Sequence, residues 1–281
     1  MKVLVTGAKG QLGYDVTREL FRLGHDVFAF GRDQLDITDQ QQVKYVVREI
    51  KPDAIIHAAA YTKVDQAEID QDEAYLVNAY GTRNMAVAAE SVGAKLCYVS
   101  TDYVFDGKGE FPYHEYAQTS PLGVYGHSKY VGEEMVKTLS SKYFIVRTAW
   151  VYGKNGKNFV KTMLKLAQEK EELGVIRDQV GSPTYTVDLA KFLIKLVKTE
   201  NYGIYHGTNF GSCSWYEFAK AIFEEAGIDI KVNPLTSEQF PRPAKRPAYS
   251  VLGDMALRLN GFQPLRHWRK ALQSFLKELE P

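Results

Sequence analysis

The segment Thr6-Gly7-Ala8-Lys9-Gly10-Gln11-Leu12-Gly13 decides the fold, because it joins an apolar strand candidate to a helical pattern. Its glycines are spaced G-x-x-G-x-x-G, whereas dinucleotide sites usually carry G-x-G-x-x-G. In a strand–turn–helix unit, we expect Gly7 to make the tight turn, Gly10 to admit a pyrophosphate and Gly13 to let the helix pack on its strand. The helix N-terminus would offer free N–H groups to the phosphates. The alternative is a glycine-rich turn that serves packing alone.

Short apolar runs alternate with longer helical patterns along the first half of the chain. The runs are continuous rather than alternating, which is typical of parallel strands covered on both faces. The predicted strands are Lys2–Thr6, Asp26–Phe30, Ala54–His57, Lys95–Ser100 and Phe144–Arg147. The predicted helices lie near Gln11–Leu23, Asp39–Ile50, Glu73–Val92 and Pro121–Leu139. The sequence therefore predicts an α/β protein with a Rossmann-type doubly wound parallel sheet.

After about residue 150 the alternation becomes less regular. The pattern there predicts helices near Asn158–Lys170, Val187–Lys198, Trp215–Ala226 and Pro264–Leu279, with a strand at Ile204–His206. We expect a Rossmann domain at residues 1–150 and a smaller, partly interleaved C-terminal domain at 151–281. The boundary is soft, because segments are expected to be exchanged between the two.

Composition excludes several classes of function. The 281 residues carry a net charge of +1, so the overall field gives no argument for nucleic acid or an anionic membrane. No stretch is apolar enough to predict a membrane span. Cys97 and Cys213 form neither a disulfide framework nor a metal-like cluster, and Cys97 is expected to be a buried, inert thiol. No histidines pair at zinc-binding spacing. We expect a cytoplasmic protein that binds neither nucleic acid nor membrane.

The end of the second predicted strand bears on the choice of dinucleotide. In an NAD site, an Asp or Glu at the tip of this strand accepts a hydrogen bond from the ribose 2′-hydroxyl. The run Ala29-Phe30-Gly31-Arg32-Asp33 has no acid at the strand tip. Arg32 is positioned to pair with a 2′-phosphate, which favours NADPH; if Arg32 is only a solvated loop residue, NADH serves as well. Asp36 and Ile37 would lie near the adenine. The small side chains of Ala58-Ala59-Ala60 would admit the ribose and pyrophosphate.

Tyr125-Gly126-His127-Ser128-Lys129 places a phenol and an ammonium on one face of a predicted helix. Ser120-Pro121 upstream predicts the N-cap and first position of that helix. We expect the lysine charge to lower the pKa of Tyr125 and make it a usable proton donor. Thr101 follows the fourth strand at the carboxyl end of the sheet and could donate to a substrate carbonyl. Taken alone, Tyr-x-x-x-Lys is common, and Thr101 is as well explained as a turn hydroxyl.

Several motifs together resemble the extended short-chain dehydrogenase/reductases and, within them, the dTDP-4-dehydrorhamnose reductase family. Besides the glycine segment, the resemblance rests on the runs Ala58-Ala59-Ala60-Tyr61-Thr62-Lys63-Val64-Asp65, Ser100-Thr101-Asp102-Tyr103-Val104-Phe105-Asp106-Gly107, Tyr125–Lys129, Arg147-Thr148-Ala149-Trp150-Val151-Tyr152-Gly153 and Gly181-Ser182-Pro183-Thr184. The Gln-Leu-Gly end of the loop and Asp-Tyr-Val-Phe-Asp-Gly are the more specific parts.

The resemblance implies that NADPH or NADH reduces the C4 ketone of dTDP-4-dehydro-L-rhamnose to give dTDP-L-rhamnose. It implies that Thr101, Tyr125 and Lys129 are catalytic and that the C-terminal domain binds the nucleotide sugar. The cofactor contacts we expect are Gly7, Gly10, Gln11, Leu12, Gly13, Arg32, Asp36, Ile37, Ala58, Ala59, Ala60, Tyr61, Tyr125 and Lys129. The expected substrate contacts are Val64, Thr101, Asp102, Tyr125, Trp150 and Arg246.

Arg246 belongs to a basic, proline-rich segment, residues 241–249, which also contains Arg242 and Lys245. Guanidinium groups suit phosphate oxygens, so this segment is a candidate diphosphate site, with a solvated basic loop as the rival interpretation. The family's Arg-Pro-x-x-Ser pattern is present at 246–250, but the acid expected soon after Ser250 is displaced to Asp254. Some members of the family use a metal-bridged dimer. No metal ligands can be placed here, so Mg²⁺ and a homodimer stay open.

Two other functions remain as alternatives. A nucleotide-sugar epimerase or 4,6-dehydratase resembles the first half, although a dehydratase would carry Thr-Asp-Glu where this chain has Thr101-Asp102-Tyr103. A non-catalytic regulatory subunit, like the beta subunit of methionine adenosyltransferase, keeps the same fold and cofactor site but acts by binding a partner enzyme.

Overall fold

The computed structural model describes residues 1–279. Its strands are β1 (Lys2–Thr6), β2 (Asp26–Phe30), β3 (Ala54–His57), β4 (Lys95–Thr101), β5 (Tyr143–Thr148), β6 (Val151–Tyr152), β7 (Glu172–Ile176), β8 (Val180–Gly181), β9 (Thr184–Tyr185), β10 (Gly203–His206), β11 (Asn209–Phe210), β12 (Cys213–Ser214), β13 (Lys231–Leu235) and β14 (Leu265–His267). Its α-helices are α1 (Gln11–Arg22), α2 (Gln40–Ile50), α3 (Val64–Ala67), α4 (Gln71–Tyr75), α5 (Thr82–Val92), α6 (Val124–Leu139), α7 (Phe159–Glu169), α8 (Thr186–Val197), α9 (Trp215–Glu225), α10 (Met255–Leu259) and α11 (Trp268–Leu279).

Six of these strands form the central sheet, in the order β10-β5-β4-β3-β1-β2, and every pairing within it is parallel. All four residues of β3 are buried, as expected for a strand covered on both faces. One core cluster contains residues of α1 and α8, and the other contains residues of α2, α5 and α6. The predicted doubly wound parallel sheet is confirmed.

The sheet takes its sixth strand, β10, from residues 203–206 and pairs it with β5. Helix α8, also from the second half of the sequence, contributes its apolar residues to the same core as α1. Chain beyond residue 150 therefore completes the sheet. The division at residue 150 remains a prediction.

The remaining secondary structure surrounds a third core cluster, which holds Tyr152, Phe218 and Phe275. Strands β7 and β13 pair in parallel here although they lie far apart in sequence, and the sequence predicts neither of them. Helix α11 begins at Trp268 instead of Pro264, because Leu265–His267 pairs as β14 with β11. None of the helices within residues 1–279 is long and apolar enough to cross a membrane.

The helix predicted over Glu73–Val92 is also altered. In the structure this segment consists of α4, a π-helical turn at Leu76–Gly81 and α5, and its backbone stays helical throughout. The turn presents Asn78, whose side-chain amide bonds to the backbone of Tyr61 and to the Ser128 hydroxyl. A π-turn inserts one extra residue into the helical repeat, and here it brings a buried amide between the third strand's loop and α6.

Candidate active site

The glycine loop joins β1 to α1 as predicted, and backbone contacts account for two of its glycines. Gly7 has a φ of +67°, and a Cβ there would lie 2.7 Å from the Ala59 nitrogen. A Cβ at Gly13 would overlap the Gly7 carbonyl group. No side chain caps the helix at Gly10, so the first N–H groups of α1 face the space above the loop. This arrangement suits a phosphate group.

A cavity of about 870 Å³ extends from this loop along the carboxyl edge of the sheet. Its volume lies in the upper part of the usual range of small-molecule sites, about 300–1,000 Å³. All the predicted cofactor residues line the cavity: Gly7, Gly10, Gln11, Leu12, Gly13, Arg32, Asp36, Ile37, Ala58, Ala59, Ala60, Tyr61, Tyr125 and Lys129. The predicted substrate residues Val64, Thr101, Asp102 and Trp150 line it too.

Arg32 stands at the end of β2, where its side chain is 71% exposed. Its guanidinium lies 3.2 Å from Glu73 Oε1 and 3.8 Å from Asp36 Oδ2. Such exposed ion pairs are weak, so an incoming anion can replace the carboxylates. The position fits a 2′-phosphate; that Arg32 binds one stays a prediction.

Thr101, Tyr125 and Lys129 meet at one wall of the cavity. Thr101 is the last residue of β4, and Tyr125 and Lys129 lie one turn apart on α6. The Thr101 hydroxyl lies close enough to Tyr125 to lower the pKa of the phenol. Lys129 Nζ donates to the Val99 carbonyl at 2.7 Å and lies 4.1 Å from the centre of the Tyr98 ring. The structure thus brings together a phenol, a hydroxyl and an amine beside the glycine loop.

The expected lowering of the Tyr125 pKa is wrong. Burial raises the pKa of Tyr125 to about 12, and the hydrogen bond with Thr101 only partly offsets this. Burial also lowers the pKa of Lys129 to about 7, against the opposing influence of Glu133. The amine of Lys129 is engaged with Val99 and does not compensate the burial of the phenol. Tyr125 is consequently a protonated acid at neutral pH.

The predicted start of the helix that carries these residues is also wrong. Helix α6 begins at Val124 with Gly123 as N-cap, and Ser120-Pro121 lies before it. The carboxylate of Glu68 accepts from the Val124 N–H at 2.9 Å, while the Ser120 N–H donates to the Val104 carbonyl. A carboxylate from a distant segment therefore does the capping that the sequence assigned to Ser120.

Asp102 and Trp150 also line the cavity. Burial raises the pKa of Asp102 to about 6, and its Oδ1 accepts from the Thr101 hydroxyl at 3.0 Å. The indole of Trp150 stacks on Trp215, with ring centroids 3.5 Å apart and planes inclined by 7°. Trp150 has a φ of +47°, an unusual backbone conformation for a bulky residue. Trp215, on α9, was not singled out from the sequence; stacked aromatic pairs carry no sequence signal when the partners are far apart.

Arg246 lies outside the cavity lining. Its guanidinium donates to Asp65 Oδ2 at 2.9 Å, and Arg242 lies 3.8 Å from the same oxygen. Asp65 directly follows Val64, which does line the cavity. The basic segment is therefore held next to the cavity by one carboxylate, and its contact with a diphosphate stays a prediction.

The sequence interpretation missed a loop that closes over the glycine segment. Asn155 donates to the Lys9 carbonyl at 2.8 Å, and Asn158 donates to Gln11 Oε1 at 3.0 Å. Gly156 and Lys157 line the cavity. The signal that could have identified the loop is its position, since a polar, glycine-containing stretch follows a strand here as it does at the other site loops.

Cys97 is buried and unpaired, as expected, and Cys213 is buried and unpaired as well. Among residues 1–279, no three His, Cys, Asp or Glu side chains converge where a metal ion could be held.

The RmlD substrate binding domain family matches residues 1–280. The spore coat polysaccharide biosynthesis protein SpsK of Bacillus subtilis is 47% identical over 99% of this chain and 97% of its own. A dTDP-4-dehydrorhamnose reductase of Aggregatibacter actinomycetemcomitans is 43% identical over 97% of each. The crystal structure of dTDP-4-dehydrorhamnose reductase from Bacillus anthracis in complex with NADP is 52% identical, covers 99% of this chain and 100% of its own, and superposes with a TM-score of 0.97.

A Rossmann sheet with a glycine loop, and a Tyr–Lys pair on the wall of the adjoining cavity, define a dinucleotide-dependent oxidoreductase of the extended short-chain type. The family resemblance predicted from the motifs is confirmed. The chain belongs to the RmlD substrate-binding-domain family.

Proposed function

We propose that the protein uses NADPH to reduce the C4 ketone of dTDP-4-dehydro-L-rhamnose, giving dTDP-L-rhamnose. The observation that carries the proposal is the convergence of Thr101, Tyr125 and Lys129 on a cavity that the glycine loop also lines. The names of the relatives at 43–52% identity support the substrate, and the NADP in the Bacillus anthracis structure supports the cofactor.

The cofactor would lie along the glycine loop and the carboxyl ends of β1, β2 and β3. The open N-terminus of α1 would hold its pyrophosphate, and Arg32 its 2′-phosphate. Ala58, Ala59 and Ala60 leave room for the ribose on the far side of the loop. NADH would bind the same groove without the contact to Arg32, and hence more weakly.

When bound, NADPH supplies the hydride that converts the ketone carbon to an alcohol carbon. Tyr125 donates its proton to the carbonyl oxygen as negative charge develops there. The Thr101 hydroxyl, which donates to Asp102 Oδ1 in the structure, would turn to give that oxygen a second hydrogen bond. Lys129, which lines the cavity on the same helix, would bind the nicotinamide ribose.

The sugar would lie between this wall and the stacked indoles. Val64 and Trp150 offer apolar surface to the ring, and the buried Asp102 carboxyl offers hydrogen bonds to sugar hydroxyls. In this proposal Arg246 leaves Asp65 to bind the diphosphate, because a partly exposed ion pair is readily exchanged for a phosphate contact. The C-terminal region would then supply Arg246 to the nucleotide site.

The test is a panel of 4-keto sugars linked to dTDP, UDP and GDP, each mixed with protein and either NADPH or NADH. Loss of absorbance of the reduced nicotinamide reports the reaction. We expect turnover with the dTDP sugar, and faster turnover with NADPH. A protein that consumed neither cofactor with any sugar, and that captured a partner enzyme in stoichiometric amount, would instead be a regulatory subunit.

We also place the enzyme in the cytoplasm; size-exclusion chromatography would report whether it is a homodimer.

A further inference from the structure

Behind the wall that carries Thr101 and Tyr125 lies a buried ion pair that the proposed reduction does not use. Arg147, on β5, donates to both carboxylate oxygens of Glu133, on α6, at 2.9 and 2.7 Å. The side chains are 2% and 0% exposed. The Ser100 hydroxyl, on β4, donates to the same carboxylate at 2.6 Å. Ser100 and Arg147 are direct partners in the β4–β5 register.

This cluster is continuous with the catalytic residues. Three successive residues of β4 contact three residues spaced one turn apart on α6. Thr101 lies beside Tyr125, the Val99 carbonyl accepts a hydrogen bond from Lys129, and the Ser100 hydroxyl donates one to Glu133. Thr101 and Tyr125 take part in the proposed reaction, and the Val99 carbonyl holds the Lys129 amine. The contact between Ser100 and Glu133 fixes β4 against α6 immediately beside these residues.

The energetics favour a geometric role for this pair over a purely stabilising one. Two charges removed from water regain by mutual attraction roughly what they lose in hydration, so apolar residues of similar size would hold the fold about as well. A bidentate guanidinium–carboxylate pair is directional, whereas apolar packing is not. Its two parallel hydrogen bonds form at only one placement of the guanidinium relative to the carboxylate.

We propose that Glu133, held by Arg147 and Ser100, is a positioning residue that sets the spacing between the Tyr125–Lys129 helix and the Thr101 strand end. The proposal rests on the reduction proposed above and deepens it. Glu133 touches neither substrate nor cofactor; it acts through Lys129 and through the strand.

The surroundings of Lys129 indicate what the loss of Glu133 would change. The groups facing its amine are the Val99 carbonyl and Tyr98 ring on β4, His57 on β3, and Glu133 on α6. Burial lowers the pKa of His57 to about 3, so the imidazole is neutral. Glu133 is the group that raises the pKa of Lys129. Removal of Glu133 would therefore lower the pKa of Lys129, so that the amine would lose its proton at a lower pH.

The experiment compares Glu133→Gln with Glu134→Gln as a matched control. Glu134 is the neighbouring acid on α6; it is partly exposed and paired with Lys137. For each protein, the Kd of NADPH is measured across pH by nicotinamide fluorescence, and kcat and KM are measured with the keto sugar. In Glu133→Gln we expect the pH at which NADPH binding weakens to fall by about one pH unit. We expect kcat to fall about tenfold or more, with KM nearly unchanged. The control should match wild type in both.

Two further variants keep the test decisive if Glu133→Gln folds poorly, since it leaves Arg147 buried without a partner. The double variant Glu133→Gln/Arg147→Met removes both charges. We expect its Tm to be near that of the wild type. We expect its kcat, and the pH midpoint at which NADPH binding weakens, to stay as low as in Glu133→Gln. Glu133→Asp keeps the charge on a shorter side chain, so kcat should fall while the midpoint stays in place.

A double variant with wild-type midpoint and kcat would overturn the proposal, and so would a Glu133→Asp protein with wild-type kcat. A wild-type protein that binds NADPH but does not reduce the sugar would contradict the proposed function; the shift of the NADPH midpoint between Glu133→Gln and Glu134→Gln would still decide the role of Glu133. Absence of NADPH binding in the wild type would overturn both.

Discussion

Replacing Gly13 with alanine tests whether close backbone approach shapes the dinucleotide site. The added Cβ would overlap the Gly7 carbonyl oxygen and lie 2.7 Å from the Gly7 carbonyl carbon and 2.9 Å from Ala8 Cα. All of these are backbone atoms, so no side chain can turn away, and α1 must move off the loop. Overpacking of this kind costs about 1–3 kcal/mol.

The displacement should appear in both stability and cofactor binding. At about 2–4 °C per kcal/mol for a chain of this size, Tm should fall by roughly 2–12 °C. The N–H groups that would face the pyrophosphate move with the helix, and a loss of about 1.4 kcal/mol in binding would weaken the Kd of NADPH about tenfold. Differential scanning calorimetry and fluorescence titration measure the two quantities.

Gly24→Ala is the matched control for this substitution. Gly24 has a φ of +74°, and no atom lies within 4 Å of the position that a Cβ would take, so alanine there costs backbone strain of about 1–2 kcal/mol without a clash. Its Tm should fall while NADPH binding stays at the wild-type level. If Gly13→Ala bound NADPH as tightly as Gly24→Ala does, the glycine loop would not be the element that holds the cofactor.

Three other predictions follow from the site. Arg32→Ala should weaken NADPH binding about tenfold and leave NADH binding unchanged, since only the 2′-phosphate contact is lost; equal weakening of both would place Arg32 elsewhere. Arg246→Ala should raise KM for the nucleotide sugar about tenfold, whereas Arg258→Ala, which removes an exposed pair with Asp254, should not. Asp102→Asn should raise Tm at pH 8, with the gain vanishing towards pH 4, by calorimetry. Because burial raises the folded-state pKa of Asp102 from 3.8 to about 6, ionisation destabilises the fold as pH rises through that range, and the cost, of order 1–3 kcal/mol, is complete above it. A gain that was equal at both pH values would show that the Asp102 charge is not the cause.

The central sheet could be predicted because each of its strands is a local apolar run. The predicted bounds of β3 match the structure to the residue, and those of β4 and β5 match within one residue at each end. The glycine loop was likewise predictable, since the strand before it and the helix after it are adjacent in sequence. Periodicity and glycine spacing are properties of a short window, and these elements depend on little else.

The features that the sequence did not predict depend on distant partners. The cap of α6 comes from Glu68, and β7 finds its partner β13 some sixty residues later. Arg246 is held by Asp65, which lies 181 residues earlier in the sequence. The raised pKa of Tyr125 follows from how deeply the phenol is buried, which spacing within one helix does not reveal. Each of these is decided by tertiary packing.

The most direct test of Tyr125 as proton donor is the turnover of Tyr125→Phe, with Tyr130→Phe as control. Both tyrosines lie on α6, but Tyr130 packs beside a separate apolar cluster and does not line the cavity. We predict that kcat of Tyr125→Phe falls about 10²–10⁴-fold while the Kd of NADPH is retained, because a general acid is lost and the groove is not. Tyr130→Phe should turn over normally. Turnover by Tyr125→Phe equal to that of Tyr130→Phe would contradict the claim that Tyr125 protonates the substrate.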